Sequence, residues 1–465
     1  MKNNNRHLSA LALALLAAFP LGATAQSIDE LRREQRALKE KVDALEKKLK
    51  DAESKPATGG MTEEQQRDFN RIAIKTEALE DSQEAMGFRL LKISGQMDPS
   101  FIYNKLQRRS GFQFLNKVED GGYNYDNSYF GMAMIDFQKE LEGGTKWRLT
   151  LAPNRGVGSV FDGNSPVHEA TVSIPLSDLQ TRFIAGQIPD WSGYEYLQPT
   201  LNKLITHNLL FDFTLPTAYT GAGMEIVRGK WIYKGVVANM NKSMRDQRER
   251  SPVFAYRVDY SRGEFQGFGF AGTHGKAANF TENIVDGLGE PIPQRDSTVH
   301  LFEFDAYFIR GDWTAQAQLS YGMQRKAAIS VDPVTGDLRD ARWWGISTLA
   351  AHKFTPRFEG IMRMDYLNNR KNGGGLLGYT ASDDRNGIGP GWTDDGTGTW
   401  TQNDTEKGTN RFALSVGVGY LFNLNTTLKA EYRMDRATEA VFLDAKNGGY
   451  KKTNHLIGLG VVVSF

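Results

Sequence analysis

Lys429, Glu431, Arg433 and Asp435 occupy every second position, with Leu428, Ala430, Tyr432 and Met434 between or beside them. In an extended strand that spacing puts the charges on one face and the apolar groups on the other. A soluble core would not take such a row, because each unpaired buried charge is strongly destabilising. The charged face therefore needs water, and its chemistry is contact with ions and hydrophilic solutes. The same reasoning nominates Arg148, Arg182, Arg357, Glu359, Arg363, Asp365 and Arg411 as further charges on a wet inner wall, with Glu303 and Asp305 interleaved. Bases and acids are about equally represented, which disfavours a one-signed, phosphate-selective ladder.

Catalysis finds no foothold. The chain has seven histidines, one of them near the start at His7. His168, His300, His352 and His455 read as outward-facing or at strand ends. No Gly-x-Ser-x-Gly elbow, His-Glu-x-x-His pair or Ser/His/Asp grouping occurs. The absence of cysteine excludes disulfides, thiol chemistry and Cys-based metal sites. Asp383, Asp384, Asp394, Asp395 and Asp404 gather in the Gly-rich stretch 369–409, but without the spacing of a calcium loop. A solvated loop is the expectation there, a divalent-cation site the alternative; no cofactor and no enzymatic activity are expected.

The elements that carry the alternation begin near Phe88. Sixteen candidate strands follow, at 88–103, 127–140, 145–153, 166–175, 179–187, 221–228, 231–241, 252–261, 265–274, 298–310, 313–323, 341–353, 356–368, 410–422, 425–435 and 453–465. Tight joins, as at Gly143-Gly144, Gly229-Lys230, Gly311-Asp312 and Thr355-Pro356, alternate with long ones. Short turns on one side and long loops on the other mark an even-stranded antiparallel meander closed into a transmembrane β-barrel. About sixteen strands are expected, eighteen being the next choice, and that size leaves an aqueous interior. Trp313, Tyr321, Trp344, Phe354, Phe358 and Tyr366 sit at strand ends, where aromatics form interfacial girdles.

Before the barrel, residues 1–25 read as an export signal: Lys2 and Arg6, an apolar run from Leu8 to Leu21, then Ala23-Thr24-Ala25. Removing Lys2 and Arg6 takes the basic count from 56 to 54 against 55 acidic residues, so no nucleic-acid partner is expected. Residues 26–53 carry a heptad with Ile28, Gln35, Val42 and Leu49 at a and Leu31, Leu38, Leu45 and Ala52 at d. Its g–e pairs, Glu34–Lys39, Lys41–Glu46 and Lys48–Glu53, are opposite in sign, which favours parallel self-association. A linker and second helix fill 54–87, the helix capped at Thr62-Glu-Glu-Gln65.

The closing segment His455-Leu-Ile-Gly-Leu-Gly-Val-Val-Val-Ser-Phe465 resembles the last strand of bacterial outer-membrane barrels, whose terminal Phe the barrel-assembly machinery reads. With the export signal, the heptad helix and a first strand reading Leu90-Leu-Lys-Ile-Ser-Gly95, the chain is similar to outer-membrane porins. The resemblance is to the phosphate-selective porin O/P, carbohydrate-porin and β-barrel porin-2 groups, and a family of uncharacterised exported proteobacterial proteins fits the same layout. Gly186-Gln-Ile-Pro189, Gly193-Tyr-Glu195 and Leu209-Leu-Phe-Asp-Phe213 resemble the third-loop region of those porins.

The resemblance implies that the connection at about 188–220 folds inward as a constriction loop. Its charges are Asp190, Glu195, Lys203 and Asp212, and Trp191, Tyr194 and Tyr196 would pack it or stack on sugars. Some loop acids are expected to oppose the wall arginines and set up a transverse field, or the charges pair laterally and keep the lumen wet. The expected function is passive diffusion of small hydrophilic solutes across a Gram-negative outer membrane. A homotrimer held by barrel and coil, outer-membrane lipid and the assembly machinery are the expected partners, with the coil in the periplasm. A structural or adhesive barrel is the alternative.

Overall fold

The computed structural model describes residues 67–75, 90–115, 131–153, 165–240, 252–278, 296–328, 332, 334–335, 337, 339–369, 391–403 and 408–465. The expected export signal and heptad lie outside these residues. Of the expected second helix, 67–75 is helical. Met1–Gly87 and Phe88–Phe465 are separate compact units.

The second unit is a closed antiparallel barrel. Its strands are β1 (Leu91–Met97), β2 (Ser100–Asn104), β3 (Arg109–Gln113), β4 (Ala133–Glu140), β5 (Lys146–Leu151), β6 (Val167–Asp178), β7 (Thr181–Pro189) and β8 (Ala218–Arg228). They continue through β9 (Trp231–Met240), β10 (Val253–Ser261), β11 (Gln266–Ala278), β12 (Asp296–Arg310), β13 (Trp313–Gln324), β14 (Ala341–Thr355) and β15 (Phe358–Asn368). After the loop hairpin β16 (Trp392–Asp394) and β17 (Trp400–Gln402) come β18 (Arg411–Asn423) and β19 (Thr426–Ala437). A second hairpin, β20 (Phe442–Asp444) and β21 (Gly449–Lys451), precedes β22 (Thr453–Ser464).

Eighteen strands share the sheet, yet they make sixteen staves. The first stave is β1 and β2, interrupted at Asp98-Pro99; the second is β3 and β4. Proline has no N–H for the ladder, and the Asp98 carboxylate fills the gap by accepting the Met132 N–H at 2.6 Å and the Gly131 N–H at 3.2 Å. The first connection was expected to be long. Instead β2 turns directly into β3, and the long stretch after Leu115 interrupts the second stave. Closure comes from β22, which pairs with β19 on one side and with β2 and β1 on the other. Phe465 donates its N–H to the Gly95 carbonyl at 3.0 Å and accepts from the Gly95 N–H at 3.2 Å.

The short turns share one end of the barrel, where Gly229 and Gly311 take positive φ of 60° and 56°, a conformation that costs glycine little. Outward positions carry exposed Phe268, Phe302, Leu319, Tyr321, Met362, Val416 and Leu459. That unbroken apolar surface belongs against hydrocarbon, since in water it would be a large aggregation-prone patch. The interior departs from an unfilled lumen. Its largest buried cluster gathers Leu209, Leu210, Phe213, Tyr219 and Trp343, where the connection between β7 and β8 packs against the inner wall.

Candidate functional site

Residues 190–217 leave β7 at the long-loop end and turn into the barrel. Asn208 organises the segment: its Oδ1 accepts from the Leu210 and Phe211 N–H groups, capping the helical turn Leu209–Phe213. Its own N–H goes to Glu195 Oε2 at 2.6 Å. The wall leaves room for this approach, since a Cβ on Gly345 would meet Leu210 and one on Gly417 would meet Leu204.

Arg363 is the main fastener. It donates to Glu195 Oε1 at 2.8 Å, to the Thr206 carbonyl at 2.6 Å, to the His207 carbonyl at 2.8 Å and to Asp365 at 3.2 Å. Arg433 reaches the same His207 carbonyl at 2.6 Å and shares Asp435 with Arg411. Glu431 accepts the Ile205 and Thr206 N–H groups, each at 2.8 Å, and the Thr206 hydroxyl at 2.6 Å. Lys429 donates to the Pro199 carbonyl at 2.7 Å, and Lys203 pairs with Glu359 at 2.6 Å. Tyr194 bonds Ser347, which donates to Asp365. Burial pushes the Glu195 carboxyl up despite Arg363, and it pushes His207 down to about 3, so that imidazole stays neutral.

These wall charges face inward, as the alternation requires, but water does not reach most of them. Arg363, Arg411 and Arg433 are fully buried, with Asp365, Asp435, Glu431 and Lys429. A guanidinium without solvent needs its donors satisfied by protein, and the loop carbonyls supply the acceptors. Arg182 binds Ser173 and the Gly144 carbonyl, tying down a turn. Arg357 is not on the wall: it sits exposed in the turn between β14 and β15. Asp212 is buried in the helical turn. Asp190, at the loop root, accepts from the Ser192 N–H and from Tyr219 Oη at 2.8 Å, and burial pushes its carboxyl up to about 6.

The opposite half of the inner wall stays open. Between it and the loop lies a cavity of about 750 Å³, lined by Arg148, Glu169, Lys234, Arg257 and Asp259 facing Tyr196, Gln198 and Leu201 of the loop. Arg148 pairs with Asp136 at 2.9 Å and Glu169 at 3.1 Å, Lys234 with Glu225 at 3.2 Å, and Arg257 with Asp259 at 2.8 Å and Asp305 at 2.7 Å. Among the residues named from the sequence, Arg148, Asp190, Trp191, Tyr194, Glu195, Tyr196 and Asp305 contribute to this lining. Glu169, Lys234, Arg257 and Asp259 were not nominated, although Val253, Ala255, Arg257 and Asp259 alternate with Phe254, Tyr256 and Val258 as plainly as the nominated rows. His168, expected to face outward or to sit at a strand end, is the second residue of β6 and is buried against Gln198. A bulge where β5 meets β6, between Thr150 and Leu151, breaks the strict period there.

Several solved barrels are similar in overall trace. OmpT of Vibrio cholerae matches at 10% identity and a TM-score of 0.49, over 81% of this chain and 97% of its own. The anion-selective porin from Comamonas acidovorans matches at 10% identity and 0.47, over 81% and 99%. OmpF of Salmonella typhi, in a complex with daunomycin, matches at 12% identity and 0.48, over 81% and 97%. No curated protein matches in sequence. A family model described as "Protein of unknown function (DUF3138)" matches residues 62–465, nearly all of the chain, and the protein belongs to that family.

Proposed function

We propose that the protein is an outer-membrane porin, a water-filled channel for passive diffusion of small hydrophilic solutes. One observation carries the reading: a loop fastened to half of the inner wall leaves the other half as a wet, charge-lined cavity of about 750 Å³. The apolar outer face supports placement in the outer membrane. Planar-bilayer recordings of the detergent-folded protein should give stepwise conductance, with swelling of sugar-loaded liposomes. A barrel that inserts but passes no current would overturn the channel.

The export signal, the periplasmic coiled coil and the trimer belong to the same proposal. Opposite-sign g–e pairs support a parallel coil, so Leu38→Asp with Leu45→Asp should weaken oligomers while each barrel still folds and conducts. Full oligomer stability in the double variant would exclude the coil as the clasp. Phe465 is 68% exposed at the barrel seam, an accessibility that supports its reading by the assembly machinery.

A second reading, a barrel whose loops bind outside the cell, draws on the hairpins of β16–β17 and β20–β21. Trp392 and Tyr450 stack between them at 4.5 Å and 1°. A non-conducting barrel that retained an extracellular ligand would favour that reading.

A further inference from the structure

At the long-loop end, the outward face changes character over β11 to β14. Lys276 projects outward between inward Gly275 and Ala277, and Arg342 between the buried Ala341 and Trp343. Arg325 follows the buried Gln324 at the end of β13. All three cations are exposed, and none makes an ion pair among the described residues. The ladder places them close together. Lys276 is the partner of Thr298, whose carbonyl accepts the Arg325 N–H at 2.9 Å, and Arg342 is the partner of Met323, two positions before Arg325. With strands about 4.8 Å apart, the group spans about 15 Å. His274 and His300 lie just below, their Nδ1 atoms 3.2 Å apart. Among the described acids of the β13–β14 connection, Asp340 takes the Lys326 N–H at 3.0 Å, Asp332 takes the Val334 and Thr335 N–H groups and pairs with Arg339 at 3.3 Å, and Asp337 is exposed.

Directly beneath begins the apolar surface. The His274 ring lies 4.8 Å from Phe302, which is 43% exposed and is the cross-strand partner of Tyr321, 39% exposed. Leu319 and Phe270 continue it, 47% and 49% exposed. Unpaired cations above a smooth hydrocarbon-facing surface match a molecule with an anionic head and acyl chains. A phosphate monoester suits them best, because guanidinium meets its oxygens with paired N–H donors.

We propose that Lys276, Arg325 and Arg342 form a site for the phosphate-bearing headgroup of an outer-leaflet lipid, whose chains lie on Phe302 and Tyr321. The assignment rests on the outer-membrane reading above but does not require conductance. It is tested by native mass spectrometry of the folded barrel in detergent. The probes are bisphosphorylated lipid A, its dephosphorylated form and inorganic phosphate.

The phosphorylated lipid should be retained. Lys276→Gln with Arg325→Gln and Arg342→Gln should weaken it on the order of a hundredfold, and each single replacement severalfold. Gln replacement of Lys230, Arg262 and Arg310 removes the same charge at the turn end and should change nothing. Heat-dependent gel mobility shows whether each variant is folded. Equal retention of the dephosphorylated lipid, displacement by millimolar inorganic phosphate, or unchanged binding by the triple variant and the singles would each overturn the site. A barrel that binds the lipid but passes no current would overturn the channel and leave this site standing.

Discussion

Arg363 and Arg148 occupy equivalent places in the alternation, each facing inward, the first with three carboxylates in reach and the second with two. Yet the Arg363 side chain is 0% exposed and the Arg148 side chain 38%. The difference lies in the loop. Over β13 to β22 the loop brings the carbonyls of Pro199, Thr206 and His207, which replace the water that charged groups lose on burial. Over β5 to β10 the loop brings the Trp191 carbonyl to Arg257 at 2.7 Å, and the charges otherwise neutralise one another laterally beside the cavity, where Arg148 and Lys234 still reach water. One row of inward charges thus has two fates. Under the loop it is a set of fasteners; opposite the loop it lines the open cavity. A buried pair is costly to break and an exposed one is worth little, so the halves should respond to mutation in opposite ways.

The sharpest test is Arg363→Ala. It leaves Glu195 and Asp365 without their cation in a dry site and removes a donor from the Thr206 and His207 carbonyls, the second of which keeps Arg433. Breaking such a buried network costs about 3–5 kcal/mol. The cost should fall on loop docking, because the barrel ladder does not depend on this side chain. Single-channel conductance should rise and become noisy, while the heat-shifted gel mobility persists. Unchanged conductance would mean that the loop is held elsewhere.

Glu431→Gln should act in the same direction with a smaller effect. The carboxylate gathers two backbone N–H groups and a hydroxyl, and the amide would set an NH₂ against those donors. A loss of about 3 kcal/mol in loop docking is expected, read as faster hydrogen exchange at Ile205 and Thr206. Protection equal to wild type would show that Arg363 and Arg433 suffice.

The staves were legible because lipid on one side and water on the other enforce a period of two along every strand. From β8 onward the barrel strands accordingly begin and end within a few residues of the alternating spans, whereas the loop hairpins β16–β17 and β20–β21 fall between them. The covered half was not legible. That Arg363 meets Glu195, 168 positions away, depends on where a loop lands, and an inward charge reads the same wet or dry. His168 escaped because the bulge at Thr150–Leu151 is a local change of count with no residue type that signals it. Pro99 did carry a signal for the break in the first stave, since a proline inside a strand marks an interruption.

At the loop root the comparison becomes pH-dependent. Burial raises the Asp190 carboxyl from its ordinary 3.8 to about 6, so the folded state binds a proton more tightly than the unfolded one. The stabilisation from that proton is complete below the ordinary value and is lost as pH rises through about 6. Acidification from pH 7.5 to 5 traverses about one unit below the folded value and should therefore tighten the root by about 1.4 kcal/mol. Hydrogen exchange at residues 190–193, corrected for its intrinsic rate, should slow accordingly. Asp190→Asn should flatten the dependence; a root that loosens in acid would reverse the assignment.

The open half should yield the smallest stability change and the clearest change in transport. Arg148→Gln removes a cation shared by Asp136 and Glu169, all three still reached by water. The carboxylates are mostly covered, 12% and 13% exposed, but the cation is 38% exposed and screened by water, so the loss should be on the order of 1 kcal/mol and the barrel and loop should stay docked. The two carboxylates then face the cavity without their counter-charge. In a salt gradient the reversal potential should move toward cation preference, more at low ionic strength than at high because salt screens exposed charges. Lys234→Gln should do the same through Glu225. If either variant destabilised the loop while selectivity stayed fixed, the two halves would not differ in kind, and the cavity would be packing space instead of the solute's path.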